Sequence, residues 1–118
     1  MVDDKLTQYR IAMDYLGAGD LDSAHKIAQR FEGDALADTI HAVVHRREGD
    51  FSNSAYWWRR VGNRIEPELL ALYVDPVAFV HECREASRAG GTSGHIASVE
   101  IREIEILSAV IDQPDVAS

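Results

Sequence analysis

The chain has 118 residues, 46% of them hydrophobic and 27% charged, and its 12 Lys plus Arg stand against 20 Asp plus Glu for a formal net charge of −8. A field of that sign repels phosphate backbones and anionic bilayers, so nucleic acid and membrane are disfavoured as partners. The length suits one domain, residues 1–118, and the single cysteine, Cys83, excludes an intramolecular disulfide framework and any Cys-rich metal site.

Apolar residues recur at helical spacing, as in Leu6, Tyr9, Met13 and Leu16 or Leu36, Ile40, Val43 and Val44, whereas alternation with period two is nowhere sustained. The pattern predicts an all-α fold with helices over 4–16, 21–32, 35–48, 52–62, 67–73, 76–89 and 95–111. The N-terminal Met1-Val2-Asp3-Asp4-Lys5 is acidic where a secretory signal carries positive charge. No apolar run approaches the ~18 residues of a membrane span, so a cytoplasmic chain is expected.

The breaks between the first helices carry their own chemistry. Gly17-Ala18-Gly19-Asp20 and Arg47-Glu48-Gly49-Asp50 each offer a glycine able to leave a helix in the left-handed conformation and a polar residue able to cap the next one. Each is expected to join two antiparallel helices. Gly19-Asp20-Leu21 and Gly49-Asp50-Phe51 lie 30 residues apart, and Ala24 or Ala55 follows. This spacing resembles the 34-residue unit of tetratricopeptide arrays, in which small residues let paired helices approach closely. The resemblance implies two helical hairpins, with the C-terminal helices completing one compact bundle.

Further along, Asp75-Pro76 places proline where its missing N–H is harmless, and Val77, Val80, Cys83 and Ala86 mark a buried stripe in which the cysteine is a small core hydrophobe. Ala89-Gly90-Gly91-Thr92-Ser93-Gly94 reads as the most flexible stretch of the chain, a linker between helices. The last helix presents Ile96, Val99, Ile104, Ile106, Leu107 and Val110 over a broad arc, suited to a central position or a homodimer interface.

Candidate chemistry is densest between His41 and Arg64. Five arginines (Arg46, Arg47, Arg59, Arg60, Arg64) against Glu48 and Asp50 give this segment a local charge of 5 − 2 = +3. With Asn53, Tyr56, Trp57 and Trp58 interleaved, Arg46, Arg47, Arg59 and Arg60 are candidates to recognise an anionic group on a protein or small ligand, without a resident cofactor. On the structural reading, the same arginines pair with carboxylates between helices and the indoles fill the core.

At 100° per residue, Asp38, His41, His45 and Glu48 fall within about 80° of one another on a side away from Leu36, Ile40, Val43 and Val44. The expected stripe faces solvent or a cleft. Two histidines at i and i+4 with neighbouring carboxylates can hold a divalent metal, which makes His41, His45, Glu48 and Asp50 the alternative site, in a metal-binding protein or metal-dependent hydrolase. His25, His81 and His95 are read as surface or capping residues. No nucleophile elbow or phosphate loop is present, since no strand precedes Gly91-Thr92-Ser93-Gly94 and the Walker lysine is missing.

The run from His41 to Gly62, with the pattern HxxxHRREGDxxNxxYWxRRVG, resembles a family of small helical microbial proteins of uncharacterised function. Asp75-Pro76-Val77-Ala78-Phe79-Val80 is similar to that family's second motif. The resemblance covers residues 41–80 and implies a helical fold, with His41, His45, Arg46, Arg47, Glu48, Asp50, Asn53, Tyr56, Trp57, Arg59 and Arg60 as the residues to carry over. The chain departs from it at Ser54, at Trp58 and at Glu105-Ile106.

Overall fold

In the computed structural model, which describes residues 4–91 and 93–113, the helices are α1 (Asp4–Gly17), α2 (Leu21–Arg30), α3 (Ala35–Glu48), α4 (Phe51–Val61), α5 (Pro67–Tyr73), α6 (Pro76–Arg88) and α7 (Gly94–Asp112). A single 3₁₀ turn, Gly62–Arg64, follows α4, and no strand occurs among the described residues. Every expected helix is present with ends within two residues of those read from the sequence. Met1, Val2 and Asp3 of the acidic start, and Thr92 of the glycine-rich linker, lie outside the described residues.

The two glycine-aspartate turns close with the same backbone pattern. After α1, the Gly19 N–H bonds the Leu16 carbonyl at 3.1 Å and the Asp20 N–H bonds that of Tyr15 at 2.8 Å. After α3, Gly49 and Asp50 repeat this on Arg46 and His45 at 3.1 and 2.8 Å. Both glycines have positive φ, 81° and 86°, as this helix-ending motif requires. The aspartates then diverge: Asp20 caps α2 by accepting from the Ser23 N–H, whereas Asp50 makes no such cap and accepts from the Asn53 side chain instead. Ala24 and Ala55, the small residues beyond each turn, are both buried.

Helices α1, α2 and α3 each pack against the next, α6 covers α4, and α7 returns to lie on α1 and α5. The return of α7 closes the bundle, whose Cα radius of gyration is 13.7 Å. Helix α3 lies between α2 and α4, and ten consecutive residues, Ala37–Arg46, are buried. The expected amphipathic stripe is therefore corrected: Asp38, His41 and His45 do not face solvent, because neighbours cover the polar side of α3 as well as the apolar one.

The C-terminal helices begin with the signals that the sequence carries. Pro67 and Pro76 open α5 and α6, the Asp75 carboxylate accepts from the Val77 and Ala78 N–H groups, and Ser93 Oγ accepts from Ile96. Cys83 is buried, as expected of a core position. On α7 the buried set is Ile96, Val99, Glu103, Ile106, Leu107 and Ile111. A glutamate thus occupies the middle of the apolar stripe, while Ile104 and Val110 of the expected arc are only partly buried. No helix among the described residues is long and apolar enough to cross a membrane.

Between α5 and α6, Val74 holds φ 67° and ψ −49°, a conformation that strains a β-branched residue, yet it is 81% exposed and packs against little. Val74→Gly is therefore expected to stabilise the protein by about 1 kcal/mol despite the entropy of glycine. A urea midpoint at or below that of the parent chain would show that the turn is not strained.

Candidate metal centre

Three imidazoles converge where α2 crosses α3. His41 and His45 stand one turn apart on the buried face of α3, and His25 reaches them from α2, whose neighbouring Ala24 is fully buried against the bundle. One ligating nitrogen from each ring lies within 4.8 Å of the other two, and His25 Nε2 approaches His41 Nε2 to 2.9 Å. The His41 and His45 rings stack at 4.9 Å, while His25 stands edge-on to both, at 4.6 and 5.0 Å between centroids.

His41 and His45 have different surroundings. His45 Nδ1 meets Glu48 Oε1 at 3.1 Å and lies 3.5 Å from Asp50 Oδ2. A carboxylate there holds the proton on Nδ1 and leaves the Nε2 lone pair free. His41 stacks on Trp57 at 4.0 Å, and its Nδ1 is buried with no hydrogen-bond partner among the described residues. Burial first, and then the neighbouring His25 and His45, push the His41 pKa down to about 4, so this ring is neutral at physiological pH. Beyond Trp57, the Arg60 guanidinium lies 5.1 Å from the indole and 5.9 Å from the Tyr56 ring, and it donates to the Tyr56 hydroxyl at 3.2 Å.

The segment expected to form one Arg-aromatic pocket is divided by the helices that carry it. Tyr56, Trp57 and Arg60 lie on the His41 side, with Tyr56 and Arg60 exposed. Arg59 and Asn53 are also exposed, Asn53 donating to Asp50. Arg64 turns toward the α2–α3 connection, donating to the Gly33 carbonyl and, at 3.4 Å, to Asp38, which also accepts the Gly33 N–H. Arg46 and Arg47 point instead at α7, where both donate to Glu103 Oε2, at 2.7 and 2.9 Å, and Arg47 also donates to the Glu100 carbonyl. Tyr73 donates to the other Glu103 oxygen, and Arg46 lies 4.8 Å above the Phe79 ring.

Electrostatics explains how this second cluster survives burial. Burial alone would raise the pKa of Glu103, but the charge and hydrogen bond of Arg46, followed by Arg47, hold it below the usual carboxylate range. Burial works against the Arg46 charge, and Glu103 overcomes it, raising that pKa. The local excess of positive charge counted along the sequence is thus largely cancelled by Glu100 and Glu103, which lie more than 50 residues away in the chain.

Sequence reasoning missed two of these residues. His25 sits alone in its segment, and nothing in the spacing of α2 marks it as a neighbour of His41. Glu103 did leave a signal, since 96, 99, 103 and 106 follow the 3-and-4 spacing of a core stripe. No family model matches the chain, and neither a curated protein nor a solved structure matches it.

Two outcomes follow. In the metal-free chain, unfolding frees His41 to take up a proton near pH 6.5, whereas the folded ring resists down to about 4. Stability must therefore fall as pH drops from about 6.5 toward 4, by on the order of 3 kcal/mol, and His41→Gln should flatten urea midpoints over that window. Glu103→Gln leaves Arg47 without a carboxylate partner and Arg46 with only Glu100 at 3.4 Å, and is expected to cost about 3–5 kcal/mol in urea denaturation. A loss below about 1 kcal/mol would show that the network is not closed as described.

Proposed function

We propose that the protein binds a divalent transition metal through His25, His41 and His45. The observation that carries this reading is the convergence of three imidazole nitrogens within 4.8 Å, from two helices. Zinc–imidazole bonds of about 2.0–2.1 Å set tetrahedral nitrogens about 3.4 Å apart, so the observed spacing requires movements of an ångström or so. Neutral imidazoles are ligands for zinc, copper, iron and nickel, and a site with three protein donors leaves a fourth position for water or a substrate.

Glu48 and Asp50 take a different part from the one that their spacing suggested. They face His45 Nδ1, which suits them to orient the ring and raise its basicity, as outer carboxylates do around metal-bound histidines. The buried His41, with its lowered pKa, loses no proton on binding metal at neutral pH. The matching turns at Gly19 and Gly49, with the buried alanines beyond them, support a reading of α1–α4 as two tetratricopeptide-like hairpins whose crossing builds the site. A cytoplasmic setting, in which the lone Cys83 thiol stays reduced, goes with this reading.

Calorimetric titration of chelator-stripped protein with zinc is expected to give one site per chain. Titration with cobalt should give the visible absorption of a tetrahedral nitrogen site. His25→Ala removes a partly exposed donor without touching the core and should weaken zinc at least 100-fold, whereas Glu48→Gln should weaken it about tenfold. Absence of a stoichiometric site, or unchanged affinity in His25→Ala, would sink the proposal.

A further inference from the structure

We infer that a second site, separate from the histidines, lies in the cleft where the α1–α2 turn, the C-terminal end of α3, α6 and α7 meet, and that it takes a small monocarboxylate with an apolar body. The cleft has a volume of about 350 Å³ and is walled by Leu16, Leu21, Phe51 and Ile96, with Arg46 and Arg47 on its polar side. This is the lower end of the size range of small-molecule sites and accommodates a ligand of about ten non-hydrogen atoms.

The hydrogen-bond inventory of the wall decides the chemistry of the occupant. Glu103 is fully committed, one oxygen to Arg46 and Arg47 and the other to Tyr73. Arg46 Nε and Nη1 and Arg47 Nε remain buried with no acceptor among the described residues. Arg47 keeps 16% of its side chain exposed and Arg46 none, so Arg47 is the arginine that a ligand meets first. Glu100 also lines the cleft, at 3.4 Å from Arg46, but the buried groups of the wall that lack a partner are guanidinium N–H donors, which calls for an oxygen acceptor.

The charge balance decides between anions. Two guanidiniums face two carboxylates, Glu103 and the partly exposed Glu100, which lies 3.4 Å from Arg46. With these charges balanced, a bound anion gains hydrogen bonds but little net attraction, and the second charge of a phosphate dianion adds repulsion from Glu100. A carboxylate brings one charge, and its apolar body supplies the remaining favourable contact by covering the leucines, Phe51 and Ile96. Cys83 also lines the cleft, and burial pushes its pKa up to about 11, so it meets the ligand as a neutral thiol and not as a nucleophile.

The test is calorimetric titration of the full chain with octanoate below its micellar range, with octanol, octylamine and inorganic phosphate as comparators. Octanoate should bind once per chain, octanol and octylamine at least tenfold more weakly, and phosphate not measurably. Arg47→Gln should weaken octanoate at least tenfold. Ala86 also lines the cleft, and Ala86→Phe, which fills it while keeping both arginines, should abolish binding. Bound octanoate should also slow alkylation of Cys83, which gives a readout in the parent chain should Arg47→Gln fail to fold. No binding of octanoate, equal binding of octanol, tighter binding of phosphate, or unchanged binding in Ala86→Phe would each overturn the assignment. None of these results depends on whether zinc binds the histidines.

Discussion

Helix α3 is enclosed on every side from Ala37 to Arg46, yet it carries Asp38, His41, His45 and Arg46 into the interior. Each of these groups loses water on folding, and each must find a partner or impose a penalty of several kcal/mol. The rest of the bundle is arranged around that requirement. Asp38 is met by the Gly33 N–H and Arg64, His41 by His25, His45 by Glu48 and Asp50, and Arg46 by Glu103.

These partners come from five different parts of the chain, so satisfying α3 also docks the elements around it. The α2–α3 connection is tied through Asp38, α2 through His25, the turn at Gly49 through His45, and α7 through Glu103. A buried ion pair contributes little net stability compared with well-packed apolar residues, but breaking one side of it is expensive. For α7, whose apolar residues spread over a broad arc, the position of Glu103 selects one rotation of the helix, because any other would strand two guanidiniums. Tyr73 adds α5 to the same point.

The two polar clusters on α3 differ in what they leave unfinished. Around the histidines, three rings crowd together with little but one another and the carboxylates at His45 as partners, and His41 Nδ1 has none among the described residues. Around the arginines, both Glu103 oxygens are engaged while three guanidinium N–H positions keep no partner among the described residues. His45 and Arg46 are adjacent in sequence, and the 100° step between them sends one toward α2 and the other toward α7. One helix thereby presents two chemically opposite clusters to two different sets of neighbours.

Much of the fold is a local property of the chain. Apolar spacing, the glycine turns, Pro67, Pro76 and Ser93 determine seven helices and their ends, because backbone hydrogen bonding and capping involve residues only a few positions apart. The same local rules placed His41 and His45 one turn apart and made Cys83 a core residue. They failed where burial depends on what covers a helix. The stripe through Asp38, His41 and His45 reads as solvent-facing by pattern, and only the packing of α2 and α4 on either side of α3 encloses it. His25 joins the histidines, and Glu103 the arginines, through contacts that span 16 and 57 residues. Periodicity cannot encode such pairings, since it describes the face of a helix and not its neighbour. The sequence alone thus determined which helices form and which groups they carry, while the tertiary structure decided which of those groups meet.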